Sequence, residues 1–483
     1  MWRMIALLTS MALTAPAGAQ ADDQADDQAD DPSESIEALI DRAMPASGAP
    51  GLAYAVLDDG VIRADARGER RLGGGQPVTA DTPFPLGSIS KSFTAMAVLQ
   101  LVEAGRIELD AEISAYLDEF QGHAGESITI RQLLSHTSGY STLQGNQSHT
   151  DQGGEADELA GRVLQIAQAA PAFEAGRSWR YSNANYLVMG RLIEVVSGRD
   201  FAEYIETEIL EPAGMANAFI PTGAAHQAVA AGHSPWFTGR RPVADGGMPG
   251  AMAPAGGVIA SATDVARFLA IMSNGEDDLI SAANKAMMMQ PASPASPYYG
   301  LGWFIDVENG VAYHTGLTPG VETIAALSLS EQKGAVVLIN ANSGMGFGLT
   351  VDLLSGISAL ALGQPYDISG GHLPTQLFFV MLMVLPVFFI AGIVGAWVLR
   401  AGLRAKSGVF GAFSLWFPLL ATASMSWVFL VLMPSWFGVP LATLYLYQPD
   451  MVVLLVAGSA TGLALAIFRL GLYHFGRPQG DRA

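Results

Sequence analysis

The 483-residue chain contains no cysteine. That excludes disulfides, thiolate nucleophiles, zinc–thiolate sites and iron–sulfur clusters. It leaves the compartment open, because exported proteins also fold without disulfides. Charge is scarce. Asp, Glu, Lys and Arg make up 14% of the residues, against about 25% in a typical soluble domain. Half of the chain is hydrophobic. Neither a disordered chain nor a wholly soluble one has this composition, whereas a soluble domain joined to a membrane part does. Positive charge is scarcer still, with 25 Lys and Arg against 45 Asp and Glu. Residues 1–370 hold 19 of the basic and 43 of the acidic residues. So acidic a front argues against nucleic-acid binding, which needs Lys and Arg to neutralise phosphates. There is no HExxH or comparable ligand cluster, so neither a metal nor another cofactor is expected.

The N-terminus has the pattern of a signal peptide spanning residues 1–19. Arg3 gives a positive start, Ile5–Leu13 an apolar stretch, and Ala17-Gly18-Ala19 a small-x-small cleavage site. Residues 21–32 repeat Ala-Asp-Asp-Gln, Ala-Asp-Asp-Gln, Ala-Asp-Asp-Pro. This self-repelling stretch has nothing to bury, so residues 20–34 are expected to be a disordered acidic spacer. An ordered domain is expected over 35–362. Residues 52–58 and 61–66 predict a hairpin around Asp59-Gly60. Helical periodicity marks 88–105, 130–135, 155–169, 184–196 and 262–273, and strand patterns mark 322–329 and 334–340. Strands, a helical middle and strands again suit an α/β or α+β domain whose sheet joins both ends of the chain.

After a linker over 363–376, the tail carries three uncharged apolar segments, Leu377–Leu399, Val409–Met433 and Met451–Phe468. Each is long enough to span a bilayer. None shows the polar face of a long helix buried in a soluble core. They define a three-helix transmembrane domain over 377–472 and a cytoplasmic tail over 473–483. Arg400, Arg404 and Lys406 lie between the first two segments, and Arg469, Arg477 and Arg482 follow the third. The 434–450 connection has no Lys or Arg and holds Trp436, Tyr445 and Tyr447. The positive-inside rule then puts the first loop and the C-terminus inside and residues 20–375 outside. The signal peptide independently exports the same region. The spans lack ionisable groups, which argues for anchoring or helix partnering rather than an ion path. Gly392 with Ala396 and Gly458 with Gly462 give small-xxx-small spacings that let helices approach closely.

Three motifs can carry chemistry. In Gly87-Ser88-Ile89-Ser90-Lys91, Lys91 lies one helical turn beyond Ser88. A desolvated lysine can take a serine's proton and make it a nucleophile. The competing reading is a helix N-cap and a solvated charge. Tyr181-Ser182-Asn183 offers a phenol for proton relay and an amide for a substrate carbonyl, or simply a turn with a buried tyrosine. His314-Thr315-Gly316-Leu317 precedes a strand, and its glycine would let a substrate backbone come close. Free N–H groups there can serve an oxyanion. The alternative is a Gly/Pro turn with a structural histidine.

In combination, Ser-x-x-Lys, Tyr-x-Asn and His-Thr-Gly in this order resemble the penicillin-recognising, β-lactamase-like serine hydrolases. The similarity is strongest to the branch of class C β-lactamases, D-Ala-D-Ala carboxypeptidases, D-aminopeptidases and esterases. Leu133–Gly139, Pro254–Gly257 with Ser261–Asp264, and Tyr299–Trp303 extend it over roughly residues 35–362. The resemblance implies an α+β fold, with an antiparallel sheet flanked by helices and an all-helical subdomain, and Ser88 at their junction. It implies that Ser88 is acylated, that Lys91 and Tyr181 share base and acid duties, and that Asn183 holds the substrate amide. His314, Thr315 and Gly316 would bind substrate, and the backbone N–H groups of Ser88 and Leu317 would form the oxyanion hole. Many relatives carry a lysine where His314 stands, and a histidine is a weaker partner for a substrate carboxylate. His136 and Ser138 read as scaffold, since Lys91 and Tyr181 already supply a base. The expected protein is an exported hydrolase of a bacterial cytoplasmic membrane, its catalytic domain periplasmic. It would act on D-amino-acid peptides, β-lactams or small esters. An esterase, or a non-catalytic module that binds peptidoglycan or a membrane partner, is the alternative.

Overall fold

Strands β1 (Gly51–Asp58) and β2 (Val61–Gly68) form the expected hairpin. Asp59 and Gly60 both take positive φ, at 47° and 79°, as a two-residue turn joining right-twisted strands requires. The structure is a computed structural model that describes residues 32–147, 158–221, 228–243, 250–366 and 373–475. The signal peptide, most of the acidic spacer and the last eight residues lie outside the described residues.

Eight further strands follow among the described residues. Phe84–Pro85 (β3) pairs with Ile259–Ala260 (β6), and His233–Trp236 (β4) pairs with Gly239–Pro242 (β5). Phe304–Asp306 (β7), Val311–Thr318 (β8), Val321–Ser328 (β9) and Lys333–Ile339 (β10) complete a six-stranded sheet in the order β2-β1-β10-β9-β8-β7. Every pairing is antiparallel, and β1 meets β10 from Leu52 opposite Ile339 to Asp58 opposite Lys333. The sheet therefore joins both ends of the domain.

Both faces of the sheet are covered. Leu52, Tyr54, Ile324 and Val337 cluster with Ile36, Leu39 and Ile40 of the helix Pro32–Ser47 and with Leu353 and Ile357 of the helix Val351–Ala361. Ala53, Ala55, Val336 and Leu338 face the second cluster, with Phe268 and Leu269 of the helix Ala262–Ser273. That cluster continues through the helix Ser90–Glu103 into the largely helical middle of the domain. Strands buried on both faces read as apolar runs rather than alternations, and 322–329 and 334–340 were legible for that reason. The helix Ser90–Glu103 is buried on nearly all sides, as expected of a helix running between a sheet and a helical layer. Ser261 caps the helix Ala262–Ser273 through a reciprocal box with Asp264.

Two local expectations need adjusting. Gly87–Ile89 is a tight 3-10 turn, and the α-helix begins at Ser90. The His314 motif lies inside strand β8 rather than in the turn before a strand.

The C-terminal unit has three helices long and apolar enough to cross a membrane: Leu373–Val398, Gly408–Trp436 and Pro449–His474. The last is the most buried of the three. Its Gly458 and Gly462 sit where side chains of the others arrive. A methyl at Gly462 would lie 3.0 Å from Phe389 and 3.2 Å from Thr422, and one at Gly392 would lie 2.8 Å from Leu465. The small-xxx-small spacings thus mark close helix approaches.

The stacked pair Phe93–Phe268, with ring centroids 4.3 Å apart, is central to the larger core. Phe93→Ala should cost roughly 3–5 kcal/mol, read as a lowered denaturation midpoint of the detergent-solubilised chain. A loss below 1 kcal/mol, the size of a change at an unimportant surface position, would show that this stack is not central.

Candidate active site

The turn Gly87–Ile89 lies against strand β8 because two glycines let the backbones touch. Gly87 has φ +56°, and a methyl there would sit 2.7 Å from Leu317 N. A methyl on Gly316 would sit 1.9 Å from the Leu86 carbonyl oxygen. The same carbonyl accepts a hydrogen bond from Thr323 Oγ1 at 2.8 Å. Strand β7 pairs with β8 only over Val311–Tyr313. Beyond Tyr313, that edge of β8 is open for the turn, which brings Ser88 beside Leu317.

The three motif residues converge on one oxygen. Lys91 Nζ lies 2.9 Å from Ser88 Oγ, and the Tyr181 hydroxyl donates to it at 2.8 Å. Lys91 also donates to the Ala255 carbonyl at 2.6 Å and lies over the Tyr181 and Tyr186 rings at 5.0 and 5.5 Å. It is fully buried, and among the described residues no carboxylate pairs with it. Desolvation therefore holds its pKa well below the ordinary lysine value. Tyr181 immediately precedes Ser182, the N-cap of the helix Asn183–Ser197. Thr142 Oγ1 donates to its carbonyl at 2.6 Å. Asn183 opens the helix Asn183–Ser197 and donates through Nδ2 to Asn146 Oδ1 at 2.9 Å.

His314 sits on β8 opposite Ala325 and is only 1% exposed. Its Nδ1 lies 2.7 Å from the Thr315 carbonyl, so Nδ1 carries the proton. Nε2 then accepts from the Tyr299 hydroxyl at 3.1 Å. Burial, reinforced by the Lys91 charge, lowers its pKa to about 3. The ring offers no positive charge to a substrate carboxylate. Thr315 is half-buried and Gly316 buried on the same strand edge.

The sequence reading missed three contributors. The Ala255 carbonyl, a backbone group, has no side-chain signature. Tyr299 was noted only as part of a motif stretch, and Asn146 carried no signal at all. His136, read as scaffold, lies beneath Tyr181 with ring centroids 4.4 Å apart.

A family model described as Beta-lactamase matches residues 36–354. The chain belongs to the beta-lactamase family. Its members are serine hydrolases with this fold. Penicillin-binding protein 4 of Amycolatopsis lactamdurans is 29% identical over 63% of this chain and 84% of its own length. The putative penicillin-binding protein PbpX of Bacillus subtilis is 31% identical over 54% of this chain, which spans 62% of that relative. Among solved structures, the octameric penicillin-binding protein homologue from Pyrococcus abyssi superimposes with a TM-score of 0.59 at 24% identity, over 73% of this chain and 81% of that one. A D-alanine carboxypeptidase AmpC from Burkholderia cenocepacia gives 0.56 at 24% identity, over 70% and 99%. These two likenesses establish the family fold.

The buried His314 has a pH consequence. Unfolded histidine titrates near 6.5, and folded His314 near about 3. The unfolded chain takes up the proton first, so stability falls as the pH drops from 6.5 toward 3. His314→Gln should flatten part of that acid limb in thermal melts between pH 3 and 7. An unchanged limb would show that His314 does not contribute to it.

Proposed function

We propose that the domain over residues 35–362 is an acyl-transfer serine hydrolase with Ser88 as nucleophile. The observation that carries this reading is the position of Ser88 Oγ, within hydrogen-bond reach of a buried, unpaired lysine and of a tyrosine hydroxyl. In acylation, the neutral Lys91 amine takes the Ser88 proton as Oγ bonds to the carbonyl carbon. The bond to the leaving group breaks, and that proton reaches the departing nitrogen or oxygen through Tyr181. In deacylation, water attacks the ester, its proton passes to the same pair, and Ser88 Oγ is restored. The amides of Ser88 and Leu317 hold the developing oxyanion, and Asn183, Thr315 and Gly316 line the substrate path.

The substrate class we favour is an amide of a D-amino-acid peptide of cell-wall type, or a β-lactam-related amide. The relatives named as penicillin-binding proteins support it. His314 supports a second reading. A neutral, buried ring in place of a cation leaves a free carboxylate without its partner, which favours esters and other uncharged acyl donors. The apolar helices support membrane anchoring, and the loop charges support a catalytic domain outside and a C-terminus inside. With a signal peptide over 1–19, a spacer over 20–34 and a linker over 363–376, the reading is of a hydrolase on the periplasmic side of a bacterial cytoplasmic membrane.

Ser88→Ala should abolish turnover of a chromogenic cephalosporin, a D-Ala-D-Ala peptide and a short-chain nitrophenyl ester, whichever the wild type accepts. Lys91→Ala and Tyr181→Phe should each lower kcat roughly 10²–10⁴-fold. Activity surviving Ser88→Ala would sink the mechanism. For topology, a reporter that is active only in the cytoplasm should work when fused after His474 and fail when fused at 438–446. The reverse result would invert the orientation.

A further inference from the structure

His136 is buried, yet it takes a left-handed backbone conformation with φ +59°. Residues other than glycine take that conformation uncommonly, Asn, Asp and His more often than the rest. Its contacts explain why the chain tolerates it. The His136 carbonyl accepts from Arg180 N at 2.8 Å. Its Nδ1 accepts from Ser182 N at 3.2 Å. One residue thus holds the backbone on both sides of Tyr181, while its ring lies against the Tyr181 ring.

The tautomer is fixed by a relay. Tyr140 N donates to Ser138 Oγ at 3.3 Å, and Ser138 Oγ donates to Asn185 Oδ1 at 2.6 Å. That orients the Asn185 amide so that Nδ2 donates to His136 Nδ1, 3.0 Å away. With two donors on Nδ1, the ring proton must sit on Nε2. Nε2 is buried and finds no hydrogen-bond partner. The His136 ring lies among Tyr299, Tyr186 and Trp179, whose ring centroids are 4.8, 5.3 and 6.2 Å from its own. The titratable groups around the ring are Lys91 on the helix Ser90–Glu103, His314 on β8, and the phenols Tyr181, Tyr186 and Tyr299. A protonated ring would add a cation beside Lys91 and lose both hydrogen bonds at Nδ1. Burial and these neighbours lower its pKa well below the ordinary histidine value.

We propose that His136 is a positioning residue for Tyr181. It acts as a neutral acceptor in the Nε2–H tautomer, held so by Ser138 and Asn185, and sets the phenol against Ser88. This rests on the acyl-enzyme reading of Ser88 above.

Two substitutions separate positioning from bulk packing. His136→Asn accepts the left-handed backbone and keeps an oxygen acceptor near the place of Nδ1. His136→Gly accepts the backbone and removes both acceptor and ring. The test follows Ser88 acylation by mass spectrometry in the full detergent-solubilised chain, with an ester donor and an amide donor. His136→Gly should acylate roughly tenfold to a hundredfold more slowly, the effect of displacing a reacting group by about an ångström. Its KM should stay within about threefold, because ground-state binding is untouched. His136→Asn should recover most of the rate. Side-chain ¹⁵N spectra of the wild type, assigned by the signal that His136→Asn removes, should show an unprotonated Nδ1. This second measurement decides the matter even if His136→Gly fails to fold. An Nδ1–H tautomer, wild-type acylation by His136→Gly, or equal slowing in both variants would overturn the role while leaving Ser88 chemistry intact. A wild type that never acylates Ser88 on any donor would overturn the function and this role with it.

Discussion

The structure depends on keeping the Lys91 amine out of water without giving it a counter-charge. A lysine among apolar and aromatic groups is costly in its charged form and becomes a base. A carboxylate beside it would restore the charge. The surroundings of Lys91 meet both demands. The Ala255 carbonyl and Ser88 Oγ satisfy its nitrogen, and the Tyr181 and Tyr186 rings cover it. His136 and His314, the two nearest histidines, are hydrogen-bonded as neutral rings. Of these three basic side chains only Lys91 is hydrogen-bonded to Ser88.

That arrangement needs the sheet and the helical layer at once. Ser88 and Lys91 come from the turn and helix between them, Tyr181 from the entry to a helix of the middle region, and His314 to Leu317 from strand β8. The glycines at 87 and 316 are part of the same requirement. Side chains there would push the Ser88 turn off strand β8. The two are separated by well over two hundred residues of sequence, yet each makes room for the other's backbone.

Much of this was legible in the sequence, and the reasons for the gaps are physical. The meeting of Ser88, Lys91 and Tyr181 was legible because Ser-x-x-Lys and Tyr-x-Asn combine particular side chains at fixed spacing and order. Strands β9 and β10 were identifiable because burial on both faces leaves apolar runs, and the three tail helices because each is apolar over a length that can cross a bilayer. Strand β8 was hidden because its Thr-Gly-Leu-Thr stretch carries turn-forming residues for a reason other than turning: the glycine makes room for Leu86. The Ala255 carbonyl was invisible because every residue has one. His314 was found as a position, but its buried, neutral state follows from Tyr299 and the Thr315 carbonyl, whose meeting only the fold decides. His136 was set aside as scaffold because a base was already available, and sequence spacing could not reveal that its ring lies under Tyr181.

The antiparallel pairing of β1 with β10, from Leu52 opposite Ile339, has a consequence for biogenesis. This inner strand pair of the sheet joins segments nearly three hundred residues apart. Non-local pairings of this kind make folding slow, because loop closure precedes the contacts that reward it. A chain emerging from its N-terminus first would hold β1 with one edge unfilled until almost the whole domain had been delivered. Such exposed strand edges invite aggregation. Maturation of this protein is thus tied to the rate at which its second half arrives, and a chaperone that shields an open β edge during that interval would raise its yield without touching the finished enzyme.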